Sequence, residues 1–319
     1  MLVLTESDIR RLVSTGDALA ATRDALKRDS LDEFVIPPRL TVGPDELLVA
    51  MAAHCSLPGL VVKVLSTQAS TNGPGLSSIS GSVVWFESKG GNAVAVMDGS
   101  AVTSLRTGAA SGVATQHLAH REARVLAMIG AGGQAADQVR SVCRVRPIAE
   151  VRIASLHSSS RNGLAMQLQA EFPLVKFIAS DSARVAVRGA DVICTATPSA
   201  DPLFDLDDLG SEVHVNAVGS FRPDMCEIDP AILNAASVVA VDRPEAAAAG
   251  SGEIQRAMAN APLDLVPLGT LLVASDPERP KGITVFKSVG IAAQDWSLAR
   301  LVVKQWETEV ERRDDHKTS

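Results

Sequence analysis

The sequence predicts an α/β protein with a Rossmann-type, doubly wound parallel sheet and a second domain of mixed α+β structure. From about residue 120 onward, short apolar runs alternate with helical stretches, which is typical of repeating β-α units. The first 100 residues instead hold several short β runs with glycine-rich turns between them. The length of 319 residues also exceeds what one ordinary hydrophobic core needs. Two domains are therefore expected.

The predicted boundaries follow the change in pattern. Residues 1–118, together with 293–319, form a substrate-binding and dimerisation domain, and 119–292 form the dinucleotide-binding domain. Thr5 or Ser7 caps a first helix, whose apolar positions continue to Leu19. Strands are expected near residues 39–42, 47–53, 59–65, 82–86 and 93–97, and long helices over 101–120 and from 296 to about 313. In the second domain, strands are expected at 124–129, 150–154, 175–178, 191–196 and 213–218, and helices over 134–142 and 161–172.

Composition excludes several classes of protein. The net charge of −7 is spread along the chain without a basic stripe, so we expect no nucleic-acid partner. The four cysteines form no C-x-x-C pair and are expected to be free thiols, and the six histidines lack metal-ligand spacing. The N-terminus does not resemble a signal peptide, and uncharged apolar runs stay shorter than the roughly 18 residues that span a bilayer. A cytoplasmic protein without membrane association is expected.

A glycine-rich turn indicates a nucleotide site. Residues 128–135 read Met-Ile-Gly-Ala-Gly-Gly-Gln-Ala and fit G-x-G-x-x-A between a predicted strand and a predicted helix. Gly130, Gly132 and Gly133 allow a tight turn and a close approach of a diphosphate, and Gln134 and Ala135 open the helix whose N–H groups would bind it. A tight turn without ligand remains the structural alternative.

The end of the second strand bears on the choice of coenzyme. NAD-binding proteins usually carry an acid there that bonds the ribose 2′-hydroxyl. Glu150 lies at the start of this strand, whereas its end carries hydroxyls and bases: Ser155, His157, Ser158 and Arg161. Such groups suit a 2′-phosphate, so NADP(H) is favoured and NAD(H) stays possible; a polar loop without ligand is the alternative.

Several further segments resemble the ornithine cyclodeaminase/mu-crystallin family. They occur in family order over nearly the whole chain: Pro38-Arg39, Val62-Lys63-Val64, Met97-Asp98-Gly99, 103–110, the Gly130 loop, 191–197, 216–220, 227–229 and 285–290. The resemblance implies a homodimer whose N-terminal domain, completed by the C-terminal helix, binds substrate and forms the dimer sheet. It also implies hydride transfer between a nicotinamide and the α-carbon of an amino or imino acid.

The resemblance also assigns residues. Arg39 and Lys63 would meet the carboxylate end of the substrate, and Arg106 and Thr107 would lie beside substrate and coenzyme phosphates at the start of the long helix. A substrate pocket would include Phe221, Ser288 and Gly290. The coenzyme set would extend to Thr195, Ala196, Thr197, Val218, Gly219 and Ser220.

The residue types agree with these roles but leave alternatives open. Arg presents a planar fork that binds both carboxylate oxygens, although Arg39 is also compatible with an ordinary surface position. Lys63 interrupts an apolar run, where a charge is costly unless it is paired or faces water on the open side of a sheet. Asp98-Gly99 fits a hairpin turn better than a catalytic acid.

One departure from the family pattern selects among its activities. Cyclodeaminases and archaeal alanine dehydrogenases carry an Asp two residues after the glycine of Asn-Ala-x-Gly, where this chain has Phe221. Asp224 follows Pro223 and is expected to cap a turn. We therefore expect an NAD(P)H-dependent reductase of cyclic ketimine carboxylates, with Δ1-pyrroline-2-carboxylate as the leading substrate and Δ1-piperideine-2-carboxylate as a second. The alternatives are an ornithine cyclodeaminase, an alanine or N-substituted amino-acid dehydrogenase, and a coenzyme-regulated binding protein like mu-crystallin.

Overall fold

The computed structural model describes residues 1–43, 48–66, 80–274 and 279–315. Two compact units divide the chain: the first comprises residues 1–106 and 291–319, and the second comprises 107–290. The first unit is therefore discontinuous in sequence. The first boundary lies after Arg106 rather than after residue 118, so the long central helix is divided between the units. The second lies after Gly290 rather than after residue 292.

The first unit contains a seven-stranded sheet whose main path runs β1-β7-β6-β5-β4-β2, with β3 paired to β4. Its strands are antiparallel except for the parallel pair β1 and β7. The elements are β1 (Leu2–Leu4), α1 (Glu6–Leu12), α2 (Thr15–Ser30), β2 (Phe34–Val35), β3 (Leu40–Val42), β4 (Leu48–Cys55), β5 (Leu60–Ser66), β6 (Ser80–Phe86), β7 (Ala93–Asp98), the first part of α3 (Gly99–Leu118), and α11 (Ala292–Asp315).

The apolar spacing that continues from Ile9 to Leu19 is divided between two helices. Thr5 caps α1 in a capping box with Asp8, as one of the two predicted caps. Helix α1 ends at Leu12, and the hydroxyl of Ser14 accepts a hydrogen bond from the backbone N–H of Asp17 to cap α2. A second capping residue within the stretch of regular apolar spacing therefore ends one helix and begins another.

The C-terminal helix α11 completes the core of the first unit. Trp296 on this helix is buried against Phe34 and Trp85, with ring centroids 5.3 and 5.7 Å away. Its indole N–H donates to the carbonyl of Gly59 at 2.9 Å. A helix from the end of the chain is thus fixed to strands near its beginning.

The second unit contains an eight-stranded, wholly parallel sheet in the order β10-β9-β8-β11-β12-β15-β13-β14. Its strands are β8 (Val125–Ile129), β9 (Glu150–Ala154), β10 (Lys176–Ser180), β11 (Val192–Thr195), β12 (Val213–Ala217), β13 (Val238–Val241), β14 (Leu265–Pro267) and β15 (Ile283–Lys287). Its helices, besides the second part of α3, are α4 (Ala135–Val145), α5 (Ser158–Glu171), α6 (Ala183–Val187), α7 (Pro230–Ala235), α8 (Pro244–Gly250), α9 (Gly252–Asn260) and α10 (Leu268–Val273).

The topology confirms the predicted fold class. Strand order moves outward from β8 through β9 to β10 on one side and through β11 to β12 on the other, so the direction of winding reverses between β8 and β11. Two apolar clusters pack on this sheet, one built around Ile193, Phe204 and Val215 and the other around Leu126 and Val151. Dinucleotides bind at such reversal points, outside the carboxyl ends of the strands.

Within the described part of the chain, no helix is both long enough and apolar enough to cross a bilayer. All four cysteines are free thiols, as predicted.

Candidate active site

The predicted coenzyme residues of the second unit follow the carboxyl ends of four neighbouring strands. Gly130 follows β8, Ser155 follows β9, Ala196 follows β11 and Val218 follows β12. The registers align the ends of three of these strands, because Thr195 pairs with Ile129 on one side and with Ala217 on the other. One edge of the parallel sheet therefore collects the predicted residues.

Gly130 is required by the backbone. Its φ of +105° is a conformation that L side chains rarely adopt, and a Cβ there would lie 2.5 Å from the carbonyl oxygen of Ala196. Gly132 and Gly133 differ, because a Cβ at either position would meet no atom within 4 Å. The protein's own packing thus leaves open space at these two positions, which fits the close approach of a diphosphate.

The start of α4 is suited to an anion. Gln134 is the N-cap residue, and its side chain makes no capping hydrogen bond to the helix. The first turn of an α-helix presents N–H groups without intrahelical partners and carries a partial positive charge. This turn, next to the open space at Gly132 and Gly133, fits the phosphates of a nicotinamide dinucleotide.

The loop after β9 carries the residues predicted to select the coenzyme. His157 is the N-cap of α5 and Ser158 its first residue, and His157 makes no side-chain capping bond. Arg161 donates to the carbonyl of Ser155 and to the exposed carboxylate of Asp181, both at 3.2 Å. A basic side chain is therefore held beside the first turn of α5.

In the first unit, Lys63 lies on the buried face of β5 and not on the open face. Its ammonium donates to Oδ1 of Asp295 at 2.8 Å and lies 2.7 Å from Oδ2. Lys63 is 1% exposed and Asp295 is 0% exposed. The pair is therefore an ion pair within the core, where loss of either partner leaves a costly lone charge.

Arg106 joins the same carboxylate. Its Nε lies 3.4 Å from Oδ1 of Asp295, and its Nη1 donates to the side-chain oxygen of Gln294 at 2.8 Å. Arg106 and Thr107 lie in the middle of α3, not at its start, because the helix already begins at Gly99. The predicted place of these two residues in the helix is thus wrong, and the N-terminal dipole of α3 does not act on them.

Two cations around one carboxylate leave this group with an excess of positive charge. The pKa of Lys63 is lowered to about 8: burial is the largest cause, the charges of Arg106 and Arg39 act in the same direction, and Asp295 opposes the shift. Arg39 itself is half-buried in the segment before β3. A cation-rich group with a readily exchangeable proton is suited to binding a carboxylate and to moving a proton near neutral pH.

Three predicted pocket residues lie in the second unit. Phe221 is half-buried after β12. The hydroxyl of Ser288 and the N–H of Gly290 both donate to Asp242, at 2.7 and 2.8 Å, so this carboxylate fixes the turn after β15. Asp224 accepts two hydrogen bonds from Arg222, two residues before it in the chain. The side chain of Asp224 is 67% exposed, in keeping with the predicted turn.

Several buried acids were not among the predicted site residues, although Glu227 lies in a segment that resembles the family. Asp295, Asp242, Glu227 and Glu253 are all nearly inaccessible to solvent and bind cations or backbone N–H groups. Asp295 follows Gln294 within a helical stretch, where an acid normally faces water. Only the register of α11 against β5 shows that it meets Lys63, so the sequence alone held no signal for this contact.

Among the described residues, no group of three or more histidine, cysteine, aspartate or glutamate side chains is arranged to hold a metal ion.

The parallel sheet and its glycine turn define a Rossmann-type protein. The chain belongs to the ornithine cyclodeaminase/mu-crystallin family, whose model matches residues 1–309. It is 31% identical over 322 residues to a Δ1-pyrroline-2-carboxylate reductase of Bacillus cereus, with 98% of each chain covered. The predicted family is thereby confirmed.

Solved structures agree with this membership. The structure of Thermococcus litoralis Δ1-pyrroline-2-carboxylate reductase, in complex with NADH and L-proline, matches with a TM-score of 0.90 at 28% identity, covering 97% of this chain and 98% of that one. An archaeal alanine dehydrogenase dimer with bound NAD matches with a TM-score of 0.87 at 27% identity and 97% coverage of both chains. Both of these proteins are oxidoreductases with a bound nicotinamide coenzyme, which agrees with the predicted class of enzyme.

The substitution Asp295→Asn tests the ion-pair group. It leaves Lys63 and Arg106 buried without their counter-ion, so we expect a loss of about 3–5 kcal/mol in the free energy of unfolding of the first unit. All three tryptophans (Trp85, Trp296 and Trp306) belong to this unit, so tryptophan fluorescence during urea denaturation measures its unfolding selectively.

Two further variants complete this test. Glu309→Gln removes an exposed acid on the same helix, which pairs with Arg11, and should cost less than about 1 kcal/mol. Lys63→Met combined with Asp295→Asn should recover part of the loss, because the buried lysine charge is gone. An Asp295→Asn protein as stable as the Glu309→Gln control contradicts the assigned ion-pair group.

Proposed function

We propose that this protein is an NAD(P)H-dependent reductase of cyclic ketimine carboxylates, with Δ1-pyrroline-2-carboxylate as substrate and L-proline as product. The observation that carries the proposal is the buried group of Lys63, Arg106 and Asp295, which holds more positive than negative charge. Similarity to two Δ1-pyrroline-2-carboxylate reductases, one of them in complex with NADH and L-proline, supports the same substrate class.

The first unit would bind the carboxylate of the substrate. Arg39 offers a planar pair of donors, and Lys63 and Arg106 add charge that Asp295 holds in place. Because Lys63 has a pKa of about 8, it is mostly protonated at neutral pH and can keep the imine nitrogen protonated. A protonated C=N carbon accepts a hydride readily, and the nitrogen keeps its proton as the ring amine forms.

The second unit would bind the coenzyme. Gly130, the open space at Gly132 and Gly133, and the first turn of α4 suit its diphosphate. A bound reduced nicotinamide supplies the hydride and is oxidised in the reaction. Ser158 and Arg161 would contact a 2′-phosphate, so we propose that NADP(H) is preferred over NAD(H).

Phe221 favours reduction over cyclodeamination. Its apolar ring occupies the position at which cyclodeaminases carry the acid that handles the substrate amine. Alanine dehydrogenase is the second candidate: the archaeal alanine dehydrogenase matches over nearly the whole chain, but Phe221 also replaces the acid that archaeal alanine dehydrogenases carry. Ammonia-dependent oxidation of NAD(P)H with pyruvate distinguishes that activity.

We also propose a homodimer formed through the sheet of the first unit. One face of this sheet packs against α11, while the other carries half-buried apolar residues. Ala52, Val62, Val84 and Val96 are directly paired across four neighbouring strands of that second face. Such a continuous apolar row is suited to burial against a second copy.

The reductase assay follows absorbance of the reduced coenzyme with five- and six-membered cyclic imino acids, using NADPH and NADH in parallel. We expect oxidation with Δ1-pyrroline-2-carboxylate and a lower KM for NADPH than for NADH. Arg39→Met should lower kcat/KM about 100-fold by removing a charged carboxylate contact, while the exposed Arg124→Met control should leave it unchanged. Absence of coenzyme oxidation with every imino acid overturns the proposed activity.

The pH dependence of kcat/KM tests the role of Lys63. Since Lys63 loses its proton through a pKa of about 8, we expect kcat/KM to be level below pH 8 and to fall about tenfold per unit above it. In Lys63→Arg the side chain stays protonated, so the alkaline fall should move to higher pH. Titration of the substrate imine is the same for both enzymes, and identical pH profiles therefore argue against Lys63.

The proposed dimer is tested by light scattering after size-exclusion chromatography. Val62→Lys places a charge on the apolar row and should convert the dimer to a monomer at micromolar concentration. Val185→Lys changes an exposed valine of the second unit, at 56% exposure, and should leave the mass unchanged. A Val62→Lys protein that stays dimeric rules out this face as the interface.

A further inference from the structure

A network of buried charges lies behind two loops of the second unit. Lys287 ends β15, Glu227 lies in the segment after β12, and Glu253 lies in the first turn of α9; each is 0% exposed. None of the three entered the predicted site. They are called the Lys287–Glu253–Glu227 network below.

Glu227 joins the two loops. Its Oε1 accepts from the backbone N–H of Thr197 at 2.6 Å and from the Thr197 hydroxyl at 2.9 Å. Its Oε2 accepts from the N–H groups of Gly219 and Ser220, at 2.6 and 3.1 Å. One carboxylate thus fixes the loop that follows β11 to the loop that follows β12.

These two loops approach each other closely. A Cβ at Gly219 would lie 2.2 Å from the backbone nitrogen of Thr197 and 2.5 Å from Oε1 of Glu227. Only glycine fits at position 219. The contact between the two loops is made by the Glu227 carboxylate, which accepts hydrogen bonds from both of them. The relative position of the two loops is therefore set by Glu227.

Glu253 and Lys287 extend the network behind Ser220. Glu253 accepts from the hydroxyls of Ser220 and Ser251 and from the backbone N–H of Glu227. Lys287 donates to the carbonyl and hydroxyl oxygens of Ser220 and lies 3.5 Å from Glu253. Both the side chain and the backbone of Ser220 are thus engaged within the protein, which fixes the loop after β12 in place.

The charges of the network do not cancel. Burial works against the ionised form of Glu253, but Lys287 and the hydrogen bonds outweigh it and lower the pKa of Glu253. Burial raises the pKa of Glu227, whereas Lys287 and the backbone N–H groups of Thr197, Gly219 and Ser220, which can only donate, favour its ionised form. Two carboxylates against one ammonium leave an excess of one negative charge.

We infer that the Lys287–Glu253–Glu227 network positions the loops that bind the nicotinamide end of the coenzyme, and that its excess negative charge favours the oxidised coenzyme over the reduced one. The inference rests on the proposed function, in which Thr195–Thr197 and Val218–Ser220 contact the coenzyme. In doubly wound sheets the dinucleotide lies across the carboxyl ends of the strands, where both loops are found.

The charge acts on the chemistry directly. The nicotinamide ring is neutral when reduced and cationic when oxidised, so a nearby buried anion stabilises the oxidised ring. It also stabilises the positive charge that develops on the ring as a hydride leaves. A unit charge about 12 Å away, at an effective dielectric constant of about 20, changes a binding constant about tenfold.

The test compares the dissociation constants of the full-length protein for NAD⁺ and NADH, by calorimetry and by NADH fluorescence. Glu227→Gln and Glu253→Gln each remove one negative charge with little change of shape. We expect each to raise the ratio of the NAD⁺ constant to the NADH constant about tenfold. Two variants at different places in the network keep the test informative if one of them folds poorly.

Ser251→Ala is the matched control. It removes a buried hydroxyl that donates to Glu253 but leaves every charge in place. It should alter both constants alike and keep their ratio within about twofold.

The outcomes are distinct. A raised ratio in the glutamate variants with an unchanged ratio in Ser251→Ala supports the inference. Equal effects on both constants in all three variants overturn the electrostatic role and leave the network purely structural. A wild-type protein that binds neither NAD⁺ nor NADH, nor their phosphorylated forms, overturns the proposed function itself.

Discussion

The carboxylate of Asp295 is the contact on which the first unit depends. Three groups meet there: Lys63 from β5, Arg106 from α3, and the C-terminal helix that carries Asp295 itself. An ammonium and a guanidinium cannot remain ionised in a core without such a partner. One residue therefore makes it possible to keep two cations where an anionic substrate can be bound away from bulk water.

The second unit combines backbone donors that suit anions with a buried carboxylate that binds other backbone donors. Its glycine turn and the first turn of α4 offer backbone donors to phosphates, while Glu227 takes up the donors of the two loops farther along the sheet edge. Positive and negative potential are thus produced at different strand ends of one sheet. The fold supplies both without a metal-binding group among the described residues.

Patterns that repeat along the chain could be predicted from sequence, and contacts between distant residues could not. Strands β4 to β9 and the fold class follow from apolar periodicity and glycine punctuation, and Gly130 follows from the requirement for a tight turn. The apolar spacing from Ile9 to Leu19 did not reveal the break between α1 and α2, because a local cap at Ser14 competes with periodicity. Asp295 and Lys63 are 232 residues apart, so no local pattern indicates that they meet. Arg106 lies about half a turn farther from its helix start than predicted, because α3 begins at Gly99 rather than at Ala101.

The discontinuity of the first unit has a consequence for biosynthesis. Residues 107–290 form a compact unit from one continuous segment, whereas the first unit needs residues from the end of the chain to be complete. Until Asp295 and Trp296 emerge, Lys63 lacks its counter-ion, and Phe34 and Trp85 lack the indole that covers them. During synthesis the first unit therefore cannot complete its core before the last helix has been made, although most of its strands come first.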